Sequence, residues 1–155
     1  MYKYLFITTI LLLACKGTEA QSLTVSDLIR VADLSHEKAT QFIVNEKKFK
    51  LILSHIFFGQ MESQYKNEDS KISELLVKHE WQDNRRVINS AHYEFKPQSY
   101  TDVLVRQLKD LGFTLKSKVD DKRKHKKVYE NNQFMAILYT FEDKELSASI
   151  EIHDK

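Results

Sequence analysis

Six histidines, one cysteine and three adjacent acid pairs are the side chains through which this chain could do chemistry. His36, His55, His79, His92, His125 and His153 stand too far apart for helical or finger-type metal pairs, which place a second ligand a few residues on. The pairs Glu68-Asp69, Asp120-Asp121 and Glu142-Asp143 all fall at expected turns. There a carboxylate is solvated and lacks the burial that tunes an acid or base. No Gly-x-Ser-x-Gly elbow occurs, and the single Cys15 lies in an apolar amino-terminal stretch. These residues predict a protein that is not an enzyme and requires no cofactor or metal.

Two other groups point to contact. Lys122, Arg123, Lys124, Lys126 and Lys127 surround His125 in the most basic segment of the chain. Such a loop suits anionic lipid or glycan phosphate, each cation contributing about 1 kcal/mol near a charged surface; its simpler use is a solvated hairpin tip balanced by Asp120-Asp121. Aromatic side chains form the second group. Phe57 and Phe58 sit in an apolar stretch, and Trp81, Tyr93 and Tyr139 fall on expected strands. Aromatics in an exposed patch mark partner sites because they offer large contact area. The alternative for 56–58 is a buried strand end.

The elements that must position these groups are legible from periodicity. Residues 22–34 carry a helical stripe of Leu23, Val25, Leu28, Ile29 and Ala32. A second helix is expected over 35–47, starting at Ser35 and burying Ala39, Phe42 and Ile43. The period then falls to two, predicting strands near 49–54, 60–65, 72–81 and 85–95, the last with Val87, Ala91, Tyr93 and Phe95 on one side. Pro97 interrupts the chain. Ser99 is the expected cap of a helix with Val103, Leu104, Leu108 and Leu111 on its apolar face, and Gly112 ends it. Strands follow over 113–119, 126–129, 133–141 and 145–153.

The halves share features at similar spacings. Phe49 and Tyr65 precede Phe113 and Tyr129 by 64 residues, and Trp81 with its polar turn parallels Phe141, 60 residues on. The expected fold class is α+β: two helix-plus-four-stranded antiparallel meander repeats, 22–96 and 97–155, forming one sheet with helices on one face. The strand over 133–141 is apolar on both sides, so one side should meet helices and the other form an open surface with Trp81 and Tyr93 near it.

This element order resembles the β-lactamase inhibitor protein type, in which a helix pair and a four-stranded antiparallel sheet occur in tandem. The resemblance implies a fold and carries no binding residues, and this chain lacks that type's disulfide-forming cysteines.

The amino terminus gives an address. Lys3 precedes an apolar run from Leu5 to Leu13, then Ala14 and Cys15. That run is shorter than the roughly 20 residues of a membrane span and reads as an export signal over 1–14. Leu12-Leu13-Ala14-Cys15 resembles the lipobox of small exported bacterial lipoproteins. The resemblance implies lipid on Cys15, a tether over 15–21 and anchorage of the protein in the cell envelope, with the outer membrane favoured by Lys16. The competing reading cuts after Thr18-Glu19-Ala20 and yields a secreted or periplasmic chain starting at Gln21. Either way no second cysteine exists to form an internal disulfide. Lys+Arg total 24 against Asp+Glu 22, which predicts no nucleic-acid partner. The expected partners are a membrane through Cys15 and a protein or peptide, with anionic lipid as the alternative.

Overall fold

The first helix begins where the sequence supplies a reciprocal cap. The Thr24 hydroxyl accepts from the Asp27 backbone N–H at 3.1 Å, and the Asp27 carboxylate accepts from the Thr24 N–H at 2.9 Å. The computed structural model describes residues 23–67, 73–83 and 86–155, so the expected signal, tether and Cys15 lie outside the described residues. Helix α1 spans Val25–Asp33 and α2 spans His36–Gln41, continued by a π-helical turn over Phe42–Glu46. Four strands follow: β1 Lys50–Phe57, β2 Gln60–Asn67, β3 Glu74–Asp83 and β4 Arg86–Phe95. A 3₁₀ turn, Gln98–Tyr100, leads into α3, Thr101–Asp110. The chain closes with β5 Thr114–Asp120, β6 Lys124–Glu130, β7 Phe134–Phe141 and β8 Ala148–Asp154.

All eight strands join one antiparallel sheet in the order β1-β2-β3-β4-β8-β7-β6-β5. The fold is mixed α+β and mostly sheet. The two four-strand runs meet where Ser90 to Phe95 of β4 pair with Ala148 to His153 of β8. Helix α1 lies over that seam, packed on both strands. Val25, Leu28, Val31 and Ala32 of α1 bury against alternate sheet residues, among them Ala91, Tyr93, Ile150, Ile152, Ala136 and Leu138. Burial along β8 follows the alternation in its sequence, and β7, apolar on both sides, is buried with the same period of two.

Two expectations need correction. Ser99 does not cap a helix: it sits inside the 3₁₀ turn, and α3 starts at Thr101. Neighbouring Gln98 governs that turn, donating to the Asp143 carbonyl at 2.6 Å and accepting from the Phe141 N–H at 3.0 Å. Residues 56–58 do not end in a buried strand, because β1 is the outermost strand and its side chains are exposed along its length. Val87 shares the side of Ala91, Tyr93 and Phe95, and stands half-exposed because it lies beyond the part of β4 that β8 covers.

Left-handed residues end both helix-to-strand passages. Lys48 has φ 63° and Gly112 φ 78°, each just before a buried phenylalanine, Phe49 or Phe113. An L-residue in this region costs about 1–2 kcal/mol relative to glycine. A Cβ on Gly112 would meet nothing within 4 Å, so a substitution there tests conformation alone. Lys48→Gly is expected to stabilise the protein by about 1 kcal/mol and Gly112→Ala to destabilise it by a similar amount. Urea unfolding midpoints of the two variants moving in the same direction would contradict this account.

Candidate functional site

Every described helix packs on one face of the sheet, and no described element covers the other. The open face is built in register rows. One row runs His55, Glu62, His79, Ser90, His153 and Met135 across β1, β2, β3, β4, β8 and β7. The next carries Val77, His92, Glu151, Ile137 and Val128. The centre is therefore a lattice of imidazoles and carboxylates: His79 Nδ1 lies 3.4 Å from Glu62, His92 Nε2 3.4 Å from Glu94, and His153 Nε2 3.2 Å from Glu151. Burial pushes the His79 imidazole down, opposed by Glu62 and Glu151. The His153 imidazole beside Glu151 holds that carboxyl below the usual carboxylate range.

Aromatic side chains occupy two corners of the same face. Phe57, Gln60, Trp81 and Ile88 share a row near the β1–β2 turn. Adjacent strands are about 4.8 Å apart, so Phe57 and Trp81 stand about 10 Å apart with Gln60 between them. Tyr139 and Phe141 lie near the end of β7, with Lys124 Nζ 3.9 Å above the Tyr139 ring and 5.9 Å from that of Phe141. Neighbouring strands alternate in direction, so the β1–β2 and β5–β6 turns fall at diagonally opposite corners.

The structure separates several residues the sequence grouped together. Tyr93 is not on the open face with Trp81. It is fully buried on the helix side, stacked on Phe95 at 5.4 Å, with its hydroxyl donating to Glu74 at 2.7 Å. Leu76 and Lys78, between which Val77 turns outward, show the same inward alternation on β3. The basic segment is also divided. Lys122 and Arg123 are exposed at the β5–β6 turn, Lys124 and Lys126 join the open face beside Tyr139, and Lys127 points the other way, in the row of Lys118 and Leu138. His125 and Lys118 both reach Asp120, at 2.9 and 2.6 Å.

Sequence reasoning missed two features. One is the exposure of Leu51, Ile52, Leu53 and Ile56 beside Phe57 and Phe58; the absence of any acid, lysine or arginine over 51–59 was the available signal. The other is a relay on the helix face, where His36 Nε2 lies 2.6 Å from Ser63 Oγ and that hydroxyl donates to Ser54 Oγ at 2.7 Å. Burial lowers the His36 pKa against the pull of Glu80, which accepts from the His36 backbone N–H at 3.0 Å. These contacts tie α2 to β1 and β2, and their residues are too dispersed along the chain for a local motif to reveal. Among the described residues no three His, Cys, Asp or Glu side chains converge to hold a metal. Comparison with protein-family models, with curated proteins and with solved structures finds no match in any of the three.

Proposed function

We propose that this protein is a non-catalytic binding module that holds a protein or peptide partner on the open face of its sheet, anchored in the cell envelope by lipid on Cys15. The observation that carries this reading is a sheet face left uncovered by the described elements, with aromatic side chains at two corners and a polar centre. Trp and Tyr dominate binding energy where they anchor in a desolvated contact, and surrounding polar groups set register and specificity. Phe57 with Trp81 and Tyr139 with Phe141 are the two anchors; the histidine and carboxylate rows between them supply hydrogen bonds. Lipid or glycan phosphate binding through residues 122–127 has less support, because the strand portion of that segment divides its cations between two faces.

We also read the chain as one helix–meander unit used twice. Lys48 and Gly112, Phe49 and Phe113, and Tyr65 and Tyr129 occupy matching positions 64 residues apart. Both outer strands carry a bulge at that spacing, at Leu51/Leu53 and at Leu115/Ser117. The extra residue in the π turn shifts the helices by one, which aligns Ala39 and Ile43 with Leu104 and Leu108, all fully buried.

The test is a pull-down from detergent-solubilised envelope using the lipidated protein. Trp81→Ala is expected to reduce recovery of the bound partner at least tenfold while leaving the thermal unfolding midpoint close to that of the parent. Undiminished recovery with both Trp81→Ala and Tyr139→Ala would reject the open face as the binding surface.

A further inference from the structure

We infer that β1 is a dimerisation edge, at which two copies of this chain pair their β1 strands antiparallel and join their sheets into one. The strand ends the sheet on one side, and residues 51–59 carry no lysine, arginine or acid. Its large apolar side chains stand 45–68% exposed, and Phe58 at the turn is 91% exposed. The opposite edge is guarded. There β5 interleaves Leu115 and Val119 with Lys116 and Lys118, and Lys118 pairs with Asp120 at 2.6 Å. Lysine on an outer strand discourages a further strand, because pairing would strip its charge of water. β1 has no such guard between its first residue and its turn.

A second copy is the occupant that fits this edge. An uncharged strand facing itself buries no unpaired charge, and antiparallel pairing sends the two Lys50 ends apart. Six side chains at this exposure leave on the order of 600 Å² per copy, given about 150–250 Å² for a large side chain. Two such strips offer in total roughly the 1,200 Å² at which stable interfaces begin. That is an upper bound on what the pairing buries from these side chains, and it fits an equilibrium in the micromolar range. The register follows from the pleat. Leu53, His55 and Phe57 share the open face, and Ser54 and Ile56 the helix face, beyond the bulge at Leu51/Leu53. A two-fold axis through His55 keeps like faces together. It sets Leu53 opposite the second copy's Phe57, Ser54 opposite its Ile56, and Phe58 beside its Ile52. The turn itself is built for display. Phe58 and Gly59, with φ 48° and 77°, form a two-residue reverse turn that favours Asn or Gly at the first position, yet a phenylalanine is held there.

Sedimentation equilibrium of the full-length exported chain carrying Cys15→Ser tests the inference. A monomer–dimer equilibrium in the micromolar range is expected, weakened at least tenfold by Ile56→Lys and by Phe58→Gly and unchanged by Val119→Lys on the other edge. Phe58→Gly also relieves the turn, so its monomer should unfold at a higher urea concentration than the parent; a misfolded variant cannot give that pair of results. His55→Cys in the same background should oxidise to a covalent dimer far faster than Ser117→Cys. A chain that stays monomeric up to high micromolar concentration overturns the inference, as does association indifferent to the β1 variants. So does amide protection of β1 that arises only when another protein is added, which would assign the edge to a foreign strand. Trp81→Ala should dimerise like the parent, so this inference and the proposed partner face fail separately.

Discussion

Lys78→Ala is expected to cost about 2–5 kcal/mol of folding stability, the loss typical of truncating a long buried side chain and leaving a cavity. Lys78 is fully buried on the helix face of β3. Its ammonium donates to the Ala32 carbonyl at 3.1 Å and to Asn89 Oδ1 at 2.8 Å. The first is a carbonyl in the last turn of α1, left without an intrahelical partner and at the negative end of the helix dipole. Burial pushes the ammonium down from 10.5 to about 8, with Glu80, Asp154 and Asp33 pulling it back. The charged form therefore carries a cost on the order of 3 kcal/mol, at 1.36 kcal/mol per tenfold change in proton affinity. Lys78→Met removes that cost along with the two hydrogen bonds, so at pH 7 it should stay within about 1.5 kcal/mol of the parent. The pH dependence has a definite sign. Between pH 8 and 10.5 the unfolded chain still holds the Lys78 proton while the native state has released it, so the parent gains stability over Lys78→Met as pH rises. Tyr129, whose ionisation burial delays, is common to both proteins and cancels in the difference. Urea unfolding of the pair at pH 7 and pH 10 measures it; parallel stabilities at the two pH values would contradict the assignment.

Tyr93→Phe should destabilise the protein by about 2–3 kcal/mol at pH 7, the range for hydrogen bonds to charged groups. The Glu74 carboxylate is buried and accepts from the Tyr93 hydroxyl at 2.7 Å and from Asn67 Nδ2 at 2.9 Å. Burial raises its pKa, and the two hydrogen bonds only partly oppose the rise. Native protein therefore holds this proton to higher pH than unfolded chain does. The favourable contribution of the protonated acid is complete below about pH 4.5 and is lost as pH climbs through the folded value. Removing the Tyr93 donor raises that value further. The deficit of Tyr93→Phe should then shrink as pH falls from 7 to 4, below the ordinary value of 4.5, and Glu74→Gln should abolish the change. Equal deficits at both pH values, measured by chemical denaturation, would show that the carboxylate is not the group responsible.

The sequence left the two faces of β3 undecided. Its order of polar and apolar residues offers Leu75, Val77, His79 and Trp81 as one side and Glu74, Leu76, Lys78 and Glu80 as the other. The structure buries Glu74, Leu76 and Lys78 and turns His79 and Trp81 outward. The partners that make this tolerable come from Ala32, Asn89 and Tyr93, none of them visible from periodicity. Where a strand meets helices through apolar residues and alternates with polar ones, as in β8, the pattern located both faces. Strand β7, apolar on both sides, left its two faces undecided. The end of the second helix was obscured for a physical reason too: a π turn hides one residue inside an otherwise helical pattern. Gly112 announced its left-handed passage, whereas Lys48 adopts the same conformation with a side chain that gives no sign of it. Of the candidate surface, Phe57, Phe58, Trp81 and Tyr139 were found from residue type, and the histidine rows were not, since register between distant strands creates them.

The seam between β4 and β8 has a consequence for how the molecule comes apart. Each strand's other neighbour belongs to its own half, and α1 from the first half is laid across both. A chain cut at the Lys96–Pro97 junction would leave each fragment with a raw six-residue border in the middle of what had been an interior, and the carboxy-terminal piece would lose its principal roof. Separately made fragments should precipitate, while fragments made together can close the border and survive. The protein is one indivisible unit in the mechanical sense.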